Sequence, residues 1–149
     1  MMITKAERID LEKILNLQYL AYQSEAMLLG DFSIPPQKQT IEEVKKEFEK
    51  GIFLKAVDEK GDIIGSVRAH TDNGTAYIGK LIVHPERQGR GIGTKLMSAI
   101  ERECAAARYE LFTSDKSVRN ISLYERLGYA RFKTEKVAEG LTFVYLEKL

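Results

Sequence analysis

Residues 81–94 read Leu-Ile-Val-His-Pro-Glu-Arg-Gln-Gly-Arg-Gly-Ile-Gly-Thr, an order that few folds accommodate. An apolar strand, Leu81-Ile82-Val83, runs into a proline turn, then a glycine-rich corner, then a long amphipathic helix. Such a unit sets a helix N-terminus close to the end of a strand. Glycines at 89, 91 and 93 let backbone amides crowd together there. The first amides of a helix have no partner within it, and they lie at the positive end of its dipole, so the corner is an anion site. Arg87, Arg90 and Lys95 add positive charge around it. A phosphate-bearing ligand is the occupant this chemistry favours.

Spacing excludes two phosphate-binding loops. A dinucleotide fingerprint needs Gly-x-Gly-x-x-Gly, and counting from Gly89 the last position is Thr94. It also needs an acidic partner on the next strand, which Tyr109-Glu110-Leu111-Phe112 does not offer convincingly. A Walker loop closes on Gly-Lys-Ser/Thr, whereas Gly93 is followed by Thr94-Lys95 in the opposite order. What remains is Gln88-x-x-Gly91-x-Gly93, which resembles the acyl-coenzyme A pyrophosphate loop of the GNAT superfamily of N-acetyltransferases. The resemblance implies a donor site made by Gln88, Gly89, Arg90, Gly91, Ile92, Gly93 and Thr94, with acetyl-coenzyme A as donor and no metal. It further implies that Leu81, Ile82 and Val83 pair their backbone with the pantetheine arm, and that the Val83 N–H faces the thioester carbonyl, where an oxyanion develops.

A second segment, Ser117-Val118-Arg119-Asn120-Ile121-Ser122-Leu123-Tyr124-Glu125-Arg126-Leu127-Gly128-Tyr129, reads as a helix of about three turns. Ser117 is its expected N-cap and Gly128 its stop. At 100° per residue, Arg119, Ser122, Glu125 and Arg126 share a solvent arc. Ile121, Leu123 and Leu127 lie opposite, with Asn120 and Tyr124 inside that apolar arc one turn apart. An inward polar pair should be hydrogen-bonded, either to the core or to a ligand. Leu-Tyr-Glu-Arg-Leu-Gly-Tyr resembles the late GNAT helix, whose tyrosine reaches the coenzyme's sulfur, and this implies that role for Tyr124. The family often has an Asn seven residues before that Tyr. Ser117 holds that position here and the Asn is at 120, so the coenzyme contact falls to Ser117 or Asn120.

The rest of the chain agrees with one α/β domain over residues 1–149. At 149 residues and 44% hydrophobic content it can bury one good core. Lys and Arg number 23 against 22 Asp and Glu, so no net field draws nucleic acid or a membrane surface. Neither a signal peptide nor an apolar run near the ~20 residues of a membrane span is visible, and the single Cys104 suits a reducing cytoplasm. Cys104 continues the Ile92, Leu96, Ile100 stripe and reads as core filler. A homodimer is compatible with the sequence, which leaves the oligomeric state open.

Periodicity predicts a strand at Ile3 to Lys5, then a helix from Asp10 with Leu11, Leu15, Tyr19, Tyr22, Ala26 and Leu29 on one face. Gly30 to Pro36 reads as a loop, and Gly30 to Gln39 as the border of the acceptor site. A Thr40–Glu43 capping box starts a second helix with Ile41, Val44 and Phe48 inward, ending at Gly51. Three strands follow at 52–58, 63–71 and 75–83, joined by hairpin-type turns. After the glycine-corner helix come a strand at 110–113, the Tyr124 helix, and strands at 131–137 and 141–147. This is the GNAT order, and it implies a mixed, mostly antiparallel sheet of about seven strands flanked by about four helices.

Acyl transfer from a thioester to an amine needs a held donor, a neutral amine, a stabilised oxyanion and a protonated leaving thiol. Tyr124, with a phenol pKa near 10, can donate to a departing thiolate of pKa about 8.5. The amine is harder. An alkyl amine of pKa near 10.4 is only ~0.04% neutral at pH 7, a deprotonation cost of roughly 4–5 kcal/mol. Many GNAT enzymes carry a Glu on the strand entering the loop, but that strand reads Tyr77-Ile78-Gly79-Lys80 here. Candidate bases are Glu25 foremost, then His70 and His84, or a water chain. The expectation is an acetyl-coenzyme A-dependent N-acetyltransferase acting on a small-molecule or peptide amine. Its alternative is a GNAT-fold module that binds acyl-coenzyme A without turnover, which the missing strand carboxylate favours.

Overall fold

The chain was analysed as a computed structural model, which describes residues 1–31 and 34–149. Seven strands form one sheet in the order β1-β2-β3-β4-β5-β7-β6. They are β1 (Met2–Lys5), β2 (Ile52–Val57), β3 (Ile63–Asp72), β4 (Thr75–Val83), β5 (Arg108–Ser114), β6 (Ala130–Ala138) and β7 (Leu141–Lys148). All neighbours run antiparallel except β4 and β5, which are parallel. That parallel pair needs a crossover, supplied by helix α4 (Ile92–Cys104).

Five α-helices are present among the described residues, one more than the sequence leads one to expect. They are α1 (Leu11–Leu29), α2 (Pro35–Lys38), α3 (Ile41–Lys50), α4 and α5 (Val118–Arg126). The extra one is α2. The Pro35-Pro36 pair, expected as loop, begins a single helical turn, because proline presets φ for the first helical position. The other part of that expected loop, Phe32 and Ser33, lies outside the described residues. Thr40 and Glu43 form the anticipated reciprocal capping box at α3.

Both faces of the sheet are covered. On one, α4 lays Leu96, Met97 and Ile100 against Leu54, Val67 and Ile78. Gly65 admits α4 closely: a Cβ there would stand 3.0 Å from Leu96 Cδ1 and 3.2 Å from the Ile82 carbonyl oxygen. On the other, α1 and α3 bury Leu11, Ile14, Leu15 and Val44 against Phe53. The inward face of α1 keeps Leu11, Leu15 and Ala26 as expected and extends to Ile14, Leu17 and Gln18. Tyr19, Tyr22 and Leu29 are half-buried, while Gln18 is fully buried. Cys104 is partly buried against the α4 core, and burial pushes its thiol pKa up.

β4 carries one residue more than β3 can match. Ser66 faces Ile82 and Arg68 faces Gly79, so Lys80 and Leu81 together oppose Val67. Lys80 takes up the surplus with φ 50, a left-handed conformation rare for a side-chain-bearing residue. A bulge bends its strand and raises the local twist. The β4–β5 ladder extends only from Thr75↔Arg108 to Tyr77↔Glu110, and beyond it the strands part.

Leu96→Ala empties a fully buried position beneath α4 and is expected to cost about 2–5 kcal/mol of stability. Urea unfolding of the two proteins measures the loss; a change below about 1 kcal/mol would show that α4 is not seated as described.

Candidate active site

A groove of about 700 Å³ opens where β4 and β5 part. One wall is the free edge of β4 from Ile78 to Val83, the other is Leu111 to Ser114 of β5, and α1 and α5 close the ends. His84 N–H bonds to the Ile64 carbonyl of β3, so Ile82, two residues earlier, also turns its polar groups to β3. Leu81 and Val83 alternate with it. Their N–H and C=O groups face the side that β5 has left.

At the end of that edge the chain turns through His84, whose Nδ1 accepts the Glu86 N–H at 3.1 Å. It then passes Gly89 and Gly91, both at φ +78, and enters α4 with Gly91 as N-cap. A Cβ at either glycine would meet open space, so the left-handed backbone and not crowding explains the residue type. No side chain caps the helix, which leaves the Ile92, Gly93 and Thr94 amides free at its positive end. This corner fits an anion. Arg87, expected to add its charge here, instead pairs with Asp58 at 3.0 Å. Arg119 Nη1, at the start of α5, donates to Gln88 Oε1 at 3.1 Å and ties the loop to that helix. Gly89, Arg90 and Thr94 are exposed, and all but Arg90 of the predicted loop residues line the groove.

α5 corrects the sequence reading twice. Ser117 occupies the N-cap position but makes no capping bond. Its hydroxyl donates to Glu25 Oε1 at 2.5 Å, joining α5 to α1. Asn120, expected on the inward face, is exposed at the groove rim. Starting the helix at Val118, with Ile121 and Tyr124 as its buried positions, turns Asn120 outward. Tyr124 itself is buried to 7% exposure and lines the groove, packed edge-on against Tyr129 at 6.1 Å. Burial, and then the nearby Glu25 carboxylate, push its hydroxyl well above the usual phenol range.

Glu25 is the groove's one acidic residue among the described residues. The other candidate bases lie elsewhere. His70 is exposed and stacks on Tyr77 at 5.2 Å, and His84 is engaged in the turn. The structure thus brings together Glu25, Ser117, Tyr124, the β4 edge and the glycine corner, and leaves both histidines outside. Two lining residues went unrecognised in the sequence. Tyr22, read as core, stands three residues before Glu25 on the same face of α1, and burial followed by Glu25 raises its hydroxyl pKa strongly. Its i, i+3 relation to Glu25 was the available signal. Lys80 gave no signal, because the bulge that turns it into the groove has no sequence mark. Among the described residues, no cluster of His, Cys, Asp or Glu side chains is arranged to hold a metal.

Residues 23–149 match the family model of the acetyltransferase (GNAT) domain. UPF0157 protein YqkA of Bacillus subtilis (strain 168) is 27% identical over 130 residues, covering 87% of this chain and 37% of YqkA. The chain spans about a third of the length of the curated relatives it matches. Ribosomal-protein-alanine N-acetyltransferase from Brucella melitensis shares the fold with a TM-score of 0.79 at 16% identity, covering 100% of this chain and 99% of that one. The PaiA N-acetyltransferase of Thermoplasma acidophilum, solved in complex with coenzyme A, does so with a TM-score of 0.80 at 19% identity, covering 99% and 97%.

Two groove tyrosines and the core Tyr129 set an alkaline limit on stability. Burial raises Tyr22, Tyr124 and Tyr129, with a hydrogen bond to Glu101 adding to the effect at Tyr129. A folded pKa above the unfolded value of about 10 means that their contribution is complete below pH 10 and is lost as pH rises beyond it. Each group should remove about 1.4 kcal/mol per pH unit in that range. Urea midpoints measured from pH 8 to 11.5 should hold steady and then fall steeply above 10, less steeply in Tyr129→Phe. A flat profile to pH 11 would mean that the hydroxyls titrate as in solvent.

Proposed function

Because the chain belongs to the GNAT acetyltransferase family, we propose that it transfers an acetyl group from acetyl-coenzyme A to a primary amine by direct attack of the amine on the bound thioester. The observation that carries this reading is the free edge of β4. Its unpaired backbone runs from an anion-binding helix N-terminus to the Tyr124 hydroxyl, along one continuous groove. Acetyl-coenzyme A supplies an activated acyl group, a thiol leaving group and the phosphates.

The chain's own residues take the remaining tasks. The Ile92, Gly93 and Thr94 amides hold the pyrophosphate, and the Leu81 and Val83 backbone aligns the pantetheine arm as an added strand. The Val83 N–H donates to the carbonyl oxygen as negative charge grows there. Glu25, half-buried beside Ser117, accepts a proton from the incoming ammonium, a task that on sequence had no strand carboxylate to perform it.

Tyr124 stays protonated at every working pH. Its raised pKa also makes it too weak an acid to hand its proton fully to a thiolate of pKa about 8.5. Its contribution is therefore a hydrogen bond to the sulfur as charge develops, with the proton released by the amine completing the balance. The nitrogen–carbon bond forms and the carbon–sulfur bond breaks; of the two protons the ammonium nitrogen loses, one ends on sulfur and the other, taken by Glu25, passes to solvent. The Brucella melitensis relative is named for acetylating a protein alanine, which supports amine acceptors as a class.

Thermal denaturation with acetyl-coenzyme A tests the donor site. A ligand at ~100 times its Kd adds about 2.7 kcal/mol and should raise the melting temperature by several degrees. Gly91→Asp, which sets a carboxylate among the amides, should abolish the shift while the apo protein stays folded. An unchanged shift in that variant would misassign the loop.

Tyr124→Phe keeps the ring among Ile121 and Leu127 and removes only the hydroxyl. Release of free thiol should slow by about 10²–10³-fold, the usual cost of losing one donor to developing charge, with donor affinity moving by less than about 1 kcal/mol. Unimpaired turnover would make the hydroxyl structural.

A further inference from the structure

Beneath the acceptor end of the groove lies a buried polar cluster. Arg68 of β3 is only 5% exposed, yet its guanidinium is not fully satisfied. Nη2 donates to the Gln18 side-chain oxygen and, at 3.1 Å, to Gln39, while Nε stands 3.2 Å from the Glu47 carboxylate. Among the described residues, neither Nε nor Nη1 has a hydrogen-bond partner. Glu47 is thus committed to Arg68, and it also accepts from Gln39 Nε2 at 2.5 Å.

Lys80 reaches the same neighbourhood from the bulge of β4, lining the groove within electrostatic reach of Arg68 and Glu47. Among the described residues it makes no hydrogen bond and no ion pair. The one nearby carboxylate, Glu47, is thus taken up by Arg68, and the Lys80 charge is held partly out of water without a contact partner among the described residues. Burial, then Arg68, hold the Lys80 ammonium below its ordinary pKa, opposed by Glu47. An ammonium kept this way, in a strained backbone position, is incomplete without an anion.

The groove also holds one negative group among the described residues. This is Glu25, which sits with Ser117, close to Tyr124. Tyr22 lines the same groove within electrostatic reach of Glu25, Tyr124 and Arg68, and its hydroxyl stays a donor. A polyamine acceptor would bring a cation to Lys80 and be repelled.

We propose that the acceptor carries an anionic group beside its amine, a carboxylate in the simplest case, and that Lys80 binds this group with the Tyr22 hydroxyl at its side. The inference rests on the transferase reading and gives it a substrate class. Lys80 is then a specificity-determining residue, setting where the amine stands relative to Glu25.

The test is a series of amino acids from glycine to 6-aminohexanoate, each beside its primary amide and the diamine of matching length, with coenzyme A release followed by free-thiol detection. The wild-type protein should favour at least one acid over its amide and diamine by roughly 10- to 100-fold in kcat/KM, mostly through KM. Lys80→Met should bring the acid and amide KM values together, and Lys80→Arg should restore most of the preference. Amides or diamines accepted as well as acids, or a preference that survives in Lys80→Met, would overturn the inference and leave the transferase reading intact. No coenzyme A release with any amine, despite donor binding, would overturn both. Since the wild-type series alone discriminates, a variant that fails to fold does not rescue the idea.

Discussion

The parting of β4 from β5 after Tyr77 and Glu110 is the constraint on which the site depends. A strand in the middle of a sheet normally has both edges paired, and open edges are a liability. Here the opening is confined to a few residues, and the layers on either side hold it. α4 fastens the near strand by packing on its Ile78 and on Gly65 and Val67 of the neighbouring β3. The far strand is fixed by its full ladder with β7, and Arg108 at its start bonds Glu110 and Glu147 at 2.8 Å each. With both strands held, the gap cannot close on itself, and the unpaired backbone becomes a surface for something extended to lie against.

The same bulge serves two ends. By inserting a residue into β4 it helps drive the strands apart, and by turning Lys80 into the left-handed region it aims a charged side chain into the opening. Strain at a single residue is tolerated when its surroundings over-determine it, and it tends to accompany function. Beneath it, Arg68 and its glutamine partners form a polar layer against the apolar core. Removing one member would leave another buried and unpaired, so the layer behaves as a unit.

What the sequence revealed follows from which signals are local. Hydrophobic periodicity and capping chemistry gave the helices and strands, and the glycine corner was visible because its residues adjoin in the chain. Tyr124 was found through a local pattern as well. The misses are tertiary. Asn120 was set inward by a helical phase that assumed the apolar arc was centred on it, whereas the burial of Ile121 and Tyr124 fixes the phase differently. Ser117 looked like a cap because serine often is one, but a carboxylate 92 positions earlier competes for its hydroxyl. Lys80 could not be read at all, since a bulge is a property of two strands and not of one.

The short helix α2 has a consequence for how the groove is entered. Apart from buried Ile34 it is fastened mainly by side-chain hydrogen bonds: Gln18 to the Pro36 carbonyl at 2.9 Å, Gln37 to the Tyr19 carbonyl at 2.9 Å, and Tyr19 to the Gln39 carbonyl. Such bonds contribute about 1 kcal/mol each, far less than the aliphatic packing under α4. A segment held in this way can detach and re-dock without disturbing the rest of the molecule. Its amides would then exchange with solvent long before those of β3 or α4. That end of the groove would breathe on its own timescale while the glycine corner stays rigid, so a ligand lying along the groove meets surfaces of very different stiffness.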